Sequence, residues 1–551
     1  MAHSAFSLTL REVTWSPGDR RILSSIDLAI HDRTCMAVVG PNGVGKSSLL
    51  RLIAGEVKPT SGQIAVNPPA ANIGLIHQEP ARTNDTTVRQ LLSARTGVTA
   101  ATTEFEASTL ALAADEAGSD DRFDQALAKW TSLGAADFDA RLAKVGDDIG
   151  LAESTLDRPL PTLSGGEAAR IGLATVLLSR FDLTMLDEPT NDLDAAGLDK
   201  LEQWVQEHQG GLVFVSHDRA FLANAAIEVF EIDEHSRSGR LFGGGWDAFL
   251  DEKAVARAHA EDEYQHYTDR RDQLKAQAKQ KRDWVAKGTS KLKKNPDPDK
   301  HRNAYDKAQN EALAGKASAT DRALERLVVV DKPWEGWDLQ FTIATAQRSG
   351  SIVAALDNAV IGRGEFRLGP LTVEIRWADR VSITGPNGSG KSTLIEVLLG
   401  RLDPISGHAV LGSSVLLGEL DQLRGAFHDG AKSLIDVITA DGKLGIAEAR
   451  SVLAKFGLAA AAVARPASSL SPGERTRAQL AMFQAMGVNC VVLDEPTNHL
   501  DLQAIEQLES ALGNYEGTLI LVSHDREFLN NVETTVQIDL TSGRAVNTLE
   551  P

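Results

Sequence analysis

One ordered set of motifs occurs twice in the sequence, and this duplication restricts the fold more than any other feature. The segment GPNGVGKS at Gly40 returns as GPNGSGKS at Gly385, and LSGGE at Leu163 returns as LSPGE at Leu470. The segments LDEPTN and VSHDR also occur twice, in the same order. The last three pairs are each 307 positions apart, whereas the first pair is 345 apart, so the first copy holds 38 more residues. We therefore predict two related domains.

The sequence between the two copies is of a different kind and predicts a helical linker. Residues 246–287 contain neither Gly nor Pro and are rich in the helix formers Ala, Lys, Gln, Arg and Glu. Residues 288–299 hold one Gly and two Pro, which predict a turn, and residues 300–329 are helix-prone again. A flexible linker is the alternative, although such linkers are usually richer in Gly, Ser and Pro. The predicted domains are a first repeat at 1–245, a basic helical hairpin at 246–335 and a second repeat at 336–551.

Charge is distributed unevenly along the chain. The net charge is −19, from 57 basic and 76 acidic side chains, so on average the protein should repel nucleic acid and acidic membranes. Residues 270–316 are the exception, with fourteen Lys or Arg against six Asp or Glu.

The chain has two cysteines, no apolar stretch long enough to span a membrane, and no secretory pattern in residues 1–21. We expect a cytoplasmic protein with reduced thiols.

The GxxxxGKS segments predict two phosphate-binding loops. Each follows a short β-prone run, at 36–39 and 381–384, and precedes a helix-like stretch, which is the context that such a loop requires. Glycines let backbone N–H groups surround phosphate oxygens, and the helix N-terminus adds its positive end. We expect Lys46 and Lys391 to reach the β and γ phosphates, and Ser47 and Ser392 to hold Mg²⁺. The predicted loop residues are Gly40, Pro41, Asn42, Gly43, Val44, Gly45, Lys46, Ser47 and Ser48, and Gly385, Pro386, Asn387, Gly388, Ser389, Gly390, Lys391, Ser392 and Thr393.

Acidic residues at strand ends predict the metal and catalytic groups. The apolar runs at 181–186 and 488–493 each lead into Asp-Glu. We expect Asp187 and Asp494 to bind Mg²⁺, and Glu188 and Glu495 to polarise the attacking water.

Two further polar pairs complete the predicted sites. His217 and His524 follow apolar runs and could contact a γ-phosphate, or could be packed or capping residues. Gln78 and Gln422 follow the loop lysines by 32 and 31 positions and could ligate Mg²⁺, or could be exposed loop residues.

This set and order of motifs resembles the ATP-binding-cassette ATPases over nearly the whole chain. The resemblance implies two α/β P-loop NTPase cassettes in one monomer, packed head to tail around two molecules of ATP with Mg²⁺, and ATP hydrolysis. The phosphate loop of each cassette then faces the signature LSGGE of the other. The implied signature contacts are Ser471, Gly473 and Glu474 for the first phosphate loop, and Ser164, Gly165, Gly166 and Glu167 for the second.

The two predicted sites differ in two respects. Pro472 replaces the glycine found at Gly165 in the first signature, which removes one N–H donor but suits the first turn of a helix. Trp15 lies 25 positions before Gly40, where this family often stacks an aromatic ring on adenine, whereas the same count leads to Val360 in the second copy. Arg363 or Phe366 could substitute there. We expect a working but unequal pair of sites.

A basic hairpin between two cassettes resembles the ABC-F subfamily, whose members act on ribosomes. The resemblance implies that the linker enters the tRNA exit site near the peptidyl-transferase centre, and that the partners are 23S-type rRNA and tRNA. Trp284 and Tyr305 could stack on bases or could pack the two helices together. The predicted RNA-contact residues are Lys281, Arg282, Lys287, Lys291, Lys293 and Lys294.

Several roles remain open within and beyond that subfamily. Ribosomal protection against antibiotics is favoured by the Ala-rich, acidic insertion at about 99–150, which resembles an arm that can touch the large ribosomal subunit. An ordinary surface insertion is the alternative reading of that segment. A housekeeping translation factor, the ATP-binding subunit of a membrane transporter and a structural ATPase acting on DNA are the other functions considered. The last of these usually carries a much longer coiled coil inside one cassette.

Overall fold

We describe the protein from a computed structural model. The structure describes residues 6–77, 86–294, 348–364, 366–419, 432–442, 444–458, 460–498 and 500–541, together with 546–547 and scattered positions between 312 and 327. Its contacts divide the chain into two compact units. One unit comprises Met1–Asp247 and Trp337–Pro551, and the other comprises Ala248–Gly336.

The first repeat consists of two sheets and nine α-helices within its described residues. Its strands are β1 (Ser7–Trp15), β2 (Leu23–His31), β3 (Cys35–Val39), β4 (Ser61–Asn67), β5 (Ile73–Ile76), β6 (Leu183–Asp187), β7 (Gly211–Val215), β8 (Glu228–Ile232) and β9 (Gly239–Gly243). Its helices are α1 (Lys46–Ile53), α2 (Val88–Arg95), α3 (Val98–Ala113), α4 (Ser119–Ser132), α5 (Phe138–Asp148), α6 (Glu153–Leu156), α7 (Gly165–Leu178), α8 (Ala195–Glu207) and α9 (Arg219–Ala225). An antiparallel sheet has the order β2-β1-β4, and a six-stranded sheet has the order β5-β6-β7-β3-β8-β9.

The second repeat has the same plan, after the linker helix α10 (Gly245–Lys294). Its strands are β10 (Ile352–Arg363), β11 (Phe366–Arg376), β12 (Arg380–Thr384), β13 (Ser406–Leu411), β14 (Leu417–Glu419), β15 (Cys490–Asp494), β16 (Thr518–Val522), β17 (Val536–Asp539) and β18 (Val546–Asn547). Its described helices are α11 (Lys391–Leu398), α12 (Leu434–Gly442), α13 (Ile446–Lys455), α14 (Ala460–Val463), α15 (Pro472–Met486), α16 (Leu502–Gly513) and α17 (Arg526–Asn531). The sheet orders, β11-β10-β13 and β14-β15-β16-β12-β17-β18, match those of the first repeat, which confirms the predicted tandem α/β fold.

The parallel strands of each larger sheet bring the motifs to one edge. Strand β7 pairs in parallel with both β3 and β6, and all three are almost entirely buried, as their unbroken apolar sequences predict. Since the carboxyl ends of parallel strands meet at one edge, the residues that follow β3, β6 and β7 lie together there. Strands β12, β15 and β16 repeat this arrangement in the second cassette.

The insertion predicted at about 99–150 consists of three helices, α3, α4 and α5. A small aromatic cluster joins the first two. The ring of Phe105 lies 5.1 Å from that of Trp130 and 5.6 Å from that of Phe123, and the indole N–H of Trp130 donates to Thr102 Oγ1. The insertion therefore has an ordered core of its own.

The linker helix extends further than predicted. We expected a turn from residue 288, but α10 continues through Gly288 to Lys294, for 50 residues in all. A single glycine costs a helix only about 1 kcal/mol, and the residues after it include three lysines and a leucine, which are good helix formers. Pro296 is the stronger helix breaker and lies two residues beyond the end of α10. The second helix predicted for the hairpin lies mostly outside the described residues, as does Tyr305.

Among the helices that the structure describes, none combines the length and apolar composition needed to cross a membrane.

Candidate nucleotide-binding sites

The two phosphate loops adopt backbone conformations that require glycine. Gly40 and Gly385 have φ angles of 142° and 147°, and Gly45 and Gly390 have φ angles of 118° and 99°. A Cβ atom added at Gly40 would lie 2.7 Å from the carbonyl oxygen of Ile232, so a larger residue would also collide with the backbone. Helices α1 and α11 begin directly after these loops and have no side-chain cap. Their first N–H groups are therefore available to an anion, as a phosphate site requires.

The loop lysines fold over the loops that carry them. Lys46 Nζ donates to the carbonyl oxygens of Gly40 (2.7 Å) and Pro41 (3.4 Å). Lys391 Nζ makes the equivalent bonds, at 2.8 Å to Gly385 and 3.3 Å to Pro386. Burial lowers the pKa of both lysines, and nearby acidic residues oppose this shift. Each ammonium group is thus held within the curve of its loop, where a phosphate chain would lie.

The predicted metal ligands come together in the second cassette. Ser392 Oγ donates to Asp494 Oδ2 at 3.3 Å, which joins the first turn of α11 to the end of β15. A serine hydroxyl and a carboxylate beside a phosphate loop are oxygen donors that suit Mg²⁺. Gln78 and Gln422 lie outside the described residues, so their metal-binding role stays a prediction.

The two candidate catalytic glutamates are buried and have unusual backbone conformations. Glu188 and Glu495 follow the ends of β6 and β15 with φ angles of 54° and 45°, in the left-handed region that non-glycine residues seldom adopt. Burial raises the pKa of Glu188 to about 7 and that of Glu495 to about 8, although Lys46 and Lys391 act in the opposite direction. Strain and desolvation of this kind concentrate at functional sites.

The two histidines lie beside these glutamates. His217 Nε2 is 3.1 Å from Glu188 Oε1, and His524 Nε2 is 3.6 Å from Glu495 Oε1 and 3.0 Å from Lys391 Nζ. Burial lowers the pKa of both histidines, to about 4 for His524. Burial thus favours the neutral form of both rings. This position agrees with the predicted γ-phosphate contact, which stays a prediction.

The signature motifs form helix N-termini with reciprocal caps. Ser164 Oγ accepts from the N–H of Glu167 (3.3 Å), and the Glu167 carboxylate accepts from the N–H of Ser164 (2.8 Å). Ser471 and Glu474 form the same capping box before α15. Each glutamate also pairs with an arginine, Arg158 or Arg465. Glu167 and Glu474 thus stabilise the signature helices, and their predicted nucleotide contact stays a prediction.

Contacts between the cassettes place each phosphate loop against the other cassette. The N–H of Asn42 donates to Asp501 Oδ2 (2.8 Å), and the N–H of Asn387 donates to Asp194 Oδ2 (3.0 Å). A Cβ atom added at Gly166, in the first signature, would lie 3.3 Å from Asn387 Cβ. This is the head-to-tail arrangement that the family resemblance implied. We call the candidate ATP site that contains the phosphate loop of the first cassette site 1, and the one that contains the loop of the second cassette site 2.

Asp194 and Asp501 are functional candidates that the sequence analysis missed. Besides contacting the opposite loop, each caps its own helix, α8 or α16, through its other carboxylate oxygen. Both end the repeated segment Asn-x-Leu-Asp, which follows the Asp-Glu-Pro-Thr motif at the 307-residue spacing. That repetition was the signal that could have identified them.

A cavity of about 380 Å³ lies between the two cassettes. Its walls include residues of the first signature, of the second phosphate loop and both candidate catalytic glutamates. These residues are Gly165 and Gly166, Asn387 and Gly388, and Glu188 and Glu495. The signature glycines and a phosphate loop therefore share one space, which could receive a phosphate chain between them. Pro472 occupies the first turn of α15, as predicted, so the second signature offers one N–H fewer than the first.

Strand register changes the predicted match for Trp15. Trp15 pairs with Leu23, whose side chain lies beside Gly45, and the equivalent residue beside Gly390 is Leu368. Leu368 pairs with Ile361, so Ile361 rather than Val360 occupies the position of Trp15. Counting from the loop was wrong by one residue because the second hairpin has a shorter connection: seven residues separate Trp15 from Leu23, whereas six separate Ile361 from Leu368. Ile361 is fully buried, whereas Trp15 is partly exposed.

The two suggested substitutes for that aromatic ring have other contacts. Arg363 pairs with Glu396 at 2.8 Å, and the ring of Phe366 packs against the third loop glycine, Gly390. An adenine-stacking role for either one has no support from these contacts.

The predicted RNA-contact residues all lie on α10. Arg282 is exposed, and Trp284 is 51% exposed. The side chains of the other five residues lie outside the described part of the chain. Their contact with RNA stays a prediction.

Comparison with known proteins identifies the family to which the chain belongs. The family described as ABC transporter matches residues 23–191 and 368–498. The chain is 33% identical over 548 residues to the energy-dependent translational throttle protein EttA of Mycobacterium tuberculosis, covering 96% of this chain and 91% of that one. It is 34% identical over 547 residues to the tylosin resistance ATP-binding protein TlrC of Streptomyces fradiae, covering 94% of each chain.

The solved structure of an RNase-L inhibitor has a similar fold. Its TM-score is 0.56 at 18% sequence identity, covering 96% of this chain and 87% of that one. At this identity the likeness concerns the fold alone. The tandem cassettes, the paired motifs and the relatives aligned over nearly the whole chain show that this protein is an ATPase that belongs to the ABC-F branch of the ATP-binding-cassette family.

Proposed function

We propose that this protein acts on the ribosome in the cytoplasm, as a monomer whose two cassettes bind and hydrolyse MgATP while its linker enters the tRNA exit site near the peptidyl-transferase centre. The observation that carries the proposal is the alignment with the translational throttle protein, which spans both cassettes and the linker. The 50-residue helix α10 adds support, since it has a length of roughly 75 Å at ~1.5 Å per residue. Its surroundings in the sequence carry the basic excess that phosphate contacts need.

The geometry of the sites explains how the chain could hydrolyse ATP. The loop N–H groups and Lys46 or Lys391 bind the phosphates, and the opposite signature completes the cage when the cassettes close. Mg²⁺ would be held by Ser47 and Asp187 or by Ser392 and Asp494, and would offset the negative charge of the phosphates. Glu188 or Glu495 orients the attacking water and accepts its proton at a carboxylate oxygen. A pKa near neutrality suits a group that must take up and release a proton in each cycle.

Hydrolysis then weakens the contacts between cassettes. ATP lies between the loop of one cassette and the signature of the other, so it stabilises the closed pair as long as the γ-phosphate is intact. The loop-to-aspartate contacts Asn42–Asp501 and Asn387–Asp194 are the protein's own part of that closure. Hydrolysis yields ADP and inorganic phosphate, so the γ-phosphate no longer links the loop of one cassette to the signature of the other. The cassettes can then separate, and the protein leaves the ribosome.

Within this proposal we favour ribosomal protection against antibiotics over a housekeeping role, on the ground of the Ala-rich, acidic insertion at about 99–150, which resembles an arm that can touch the large ribosomal subunit. The relative TlrC is named for tylosin resistance, and its identity to this chain is 34%. The relative EttA is named as a translational throttle, and its identity is nearly the same, at 33%. The two relatives thus support both roles almost equally, and a growth assay separates them.

Co-sedimentation with ribosomes tests the proposed partner. The variant Glu188→Gln with Glu495→Gln should bind ATP, hydrolyse it at least 100-fold more slowly (on the order of the loss of a general base), and pellet with ribosomes only when ATP is present. A matched control adds Lys46→Ala and Lys391→Ala, which should abolish both ATP binding and pelleting. ATP binding without pelleting would contradict the ribosome proposal and would favour the transporter subunit.

Growth inhibition tests the proposed role. Expression of the wild-type chain in a macrolide-sensitive bacterium should raise the inhibitory concentration of tylosin, while the double glutamine variant should not. Unchanged tylosin sensitivity, together with ATP-dependent ribosome binding, would favour the housekeeping alternative.

A further inference from the structure

Strands β7 and β16 lead into the same segment, Val-Ser-His-Asp-Arg, which ends at Arg219 in the first cassette and at Arg526 in the second. The local structure of the two segments is alike. Asp218 caps α9 by accepting from a backbone N–H at 2.9 Å, and Asp525 caps α17 in the same way. A difference in how the two segments are held must therefore come from contacts with other parts of the chain.

Arg219, the first residue of α9, reaches into the second cassette. Both of its Nη atoms donate to the carboxylate of Glu509, on α16, and its Nε atom lies 3.3 Å from Glu527 Oε2, on α17. Glu509 also accepts from Asn531 Nδ2 at 3.1 Å, so its carboxylate has a partner on its own cassette as well. Arg219 is only 8% exposed. The equivalent Arg526 is exposed and forms no ion pair within the part of the chain that the structure describes.

The helices that receive Arg219 are joined to each other by a second arginine. Arg380, at the start of β12, donates to the carbonyl oxygen of Leu512, in α16, at 3.0 Å and to that of Val532, just after α17, at 2.7 Å. The equivalent position in the first cassette is Cys35, whose Sγ donates to the carbonyl oxygen of Ala225. A thiol has one proton to donate, so it cannot join two helices. The second cassette therefore offers the firmer anchor.

The histidines of the two segments are held in different ways. His524 Nε2 is 3.0 Å from Lys391 Nζ, so a side chain of its own cassette holds the ring. Apart from the approach of Nε2 to Glu188, the ring nitrogens of His217 have no hydrogen-bond partner among the described residues. The position of the His217 ring thus depends on the backbone of residues 216–219, which Arg219 ties to the other cassette.

The same backbone also contacts the candidate catalytic glutamate. Burial raises the pKa of Glu188, and a hydrogen bond from the backbone N–H of His217 is among the contacts that lower it. The N–H of Glu188 in turn donates to the carbonyl oxygen of Val215 at 2.9 Å. Because Arg219 lies two residues after His217, a shift at the start of α9 would disturb both the ring and the N–H that face Glu188.

We propose that Arg219 is a positioning residue for ATP hydrolysis at site 1, where its ion pair with Glu509 anchors the start of α9 to the second cassette and thereby holds His217 against Glu188. The anchor belongs to the other cassette, so the geometry of site 1 depends on the contact between the cassettes. Site 2 keeps its histidine through Lys391 instead. The proposal rests on the proposed ATP hydrolysis and on the predicted roles of Glu188 and His217.

The test measures steady-state ATP hydrolysis of the full chain with one site inactivated. In the chain that keeps only site 1, through Glu495→Gln, Arg219→Met should lower kcat about three- to tenfold and change KM for ATP less than about twofold, because the catalytic groups lose their placement while the phosphate loop is intact. Arg219→Lys should restore part of the rate, since an ammonium group can still pair with Glu509. In the chain that keeps only site 2, through Glu188→Gln, Arg219→Met should lower kcat less than about twofold.

The duplication supplies matched controls. Arg526→Met changes the residue equivalent to Arg219, and Glu202→Gln changes the residue equivalent to Glu509. Neither control should alter kcat at either site. Glu509→Gln should reproduce the loss at site 1 and leaves Arg219 with Glu527 as its counter-ion, so it decides the question if Arg219→Met does not fold. Circular dichroism at the assay temperature establishes that each variant is folded.

Three results would overturn the proposal. They are equal losses at the two sites, an unchanged kcat at site 1 with both Arg219→Met and Glu509→Gln, or a loss that is confined to KM. If His217→Ala left site 1 as active as before, the predicted role of His217 would be the part that fails. A wild-type chain that does not hydrolyse ATP would instead contradict the proposed function.

Discussion

Single residues at these sites are held in states that an isolated peptide would avoid. Glu188 and Glu495 combine a left-handed backbone with burial that favours the protonated carboxyl group. Their ordinary pKa in an unfolded chain is 4.5, against about 7 and about 8 in the folded protein. A carboxyl group whose pKa rises on folding destabilises the fold once the pH exceeds the unfolded value, and the penalty is complete above the folded value.

The variant Glu188→Gln with Glu495→Gln should therefore be more stable than the wild type without nucleotide, and increasingly so as the pH rises. Between pH 6.0 and pH 8.5 the gain in the free energy of unfolding should grow by at least about 1 kcal/mol. Thermal unfolding of both proteins without Mg²⁺, at the two pH values, measures it. The exposed substitution Asp199→Asn is the control and should give no such trend. A gain that is equal at both pH values would show that these carboxyl groups titrate normally.

At the residue scale, sequence motifs predicted the side chains whose chemical task allows only one or two residue types. The motifs place lysine, serine, aspartate and glutamate at set spacings, which predicted the phosphate loops and the acidic residues at the strand ends. Each of these residue types performs a task that few others can perform. Asp194 and Asp501 were missed although the segment Asn-x-Leu-Asp that carries them is repeated. The repetition marks the two residues, but their contacts to the other cassette depend on how the two folded domains meet.

At the scale of single elements, the first residue of helix α9 pairs with the opposite cassette, whereas the equivalent first residue of α17 forms no such pair in the described residues. Arg219, its first residue, is buried and pairs with Glu509 of α16, with Nη1 to Oε2 at 3.3 Å, and its Nε atom lies 3.3 Å from Glu527 of α17. Burial opposes the charge of Arg219, but the carboxylates outweigh it and raise the pKa of the guanidinium. At the equivalent contact, Arg526 corresponds to Arg219 and Glu202 corresponds to Glu509, but Ala220 takes the place of Glu527. No ion pair joins Arg526 to Glu202 in the described residues.

Arg219→Met should thus be far more harmful than Arg526→Met. Removing one partner of a buried ion pair leaves uncompensated charge, and the expected loss in the free energy of unfolding is about 3 kcal/mol. For Arg526→Met the expected loss is below about 1 kcal/mol. Urea unfolding without nucleotide compares the two variants. Equal losses would show that the asymmetry between α9 and α17 has no energetic consequence.

Helix and strand patterns predicted the existence of the elements better than their limits. The linker helix was predicted correctly up to residue 287, but Gly288 did not end it, because one glycine costs less than the helix formers after it contribute. The position equivalent to Trp15 was missed because the connection between β10 and β11 is one residue shorter than that between β1 and β2, and a count along the chain does not show which residues pair.

At the scale of the whole molecule, charge separates the linker from the cassettes. Residues 270–316 carry a positive excess of eight within a chain of net charge −19, so the rest of the chain repels phosphate groups. The binding of an RNA-rich partner would then depend on this segment and would weaken as salt rises, whereas ATP hydrolysis depends on the cassettes and would not.

Reversing three linker charges should therefore separate the two activities. The variant Lys291→Glu, Lys293→Glu and Lys294→Glu should lose ATP-dependent ribosome binding by at least about tenfold at moderate salt, because each phosphate contact contributes to the counterion release that drives binding. Its basal ATP hydrolysis should stay within twofold of the wild type, since both sites are remote in sequence from the change. The matched control reverses the same number of charges at Lys432, Arg450 and Lys455, which are exposed on the second cassette. Co-sedimentation across a salt series measures both variants. Because the two variants have the same net charge, an equal loss of binding would mean that overall charge, and not the linker, governs association with the ribosome.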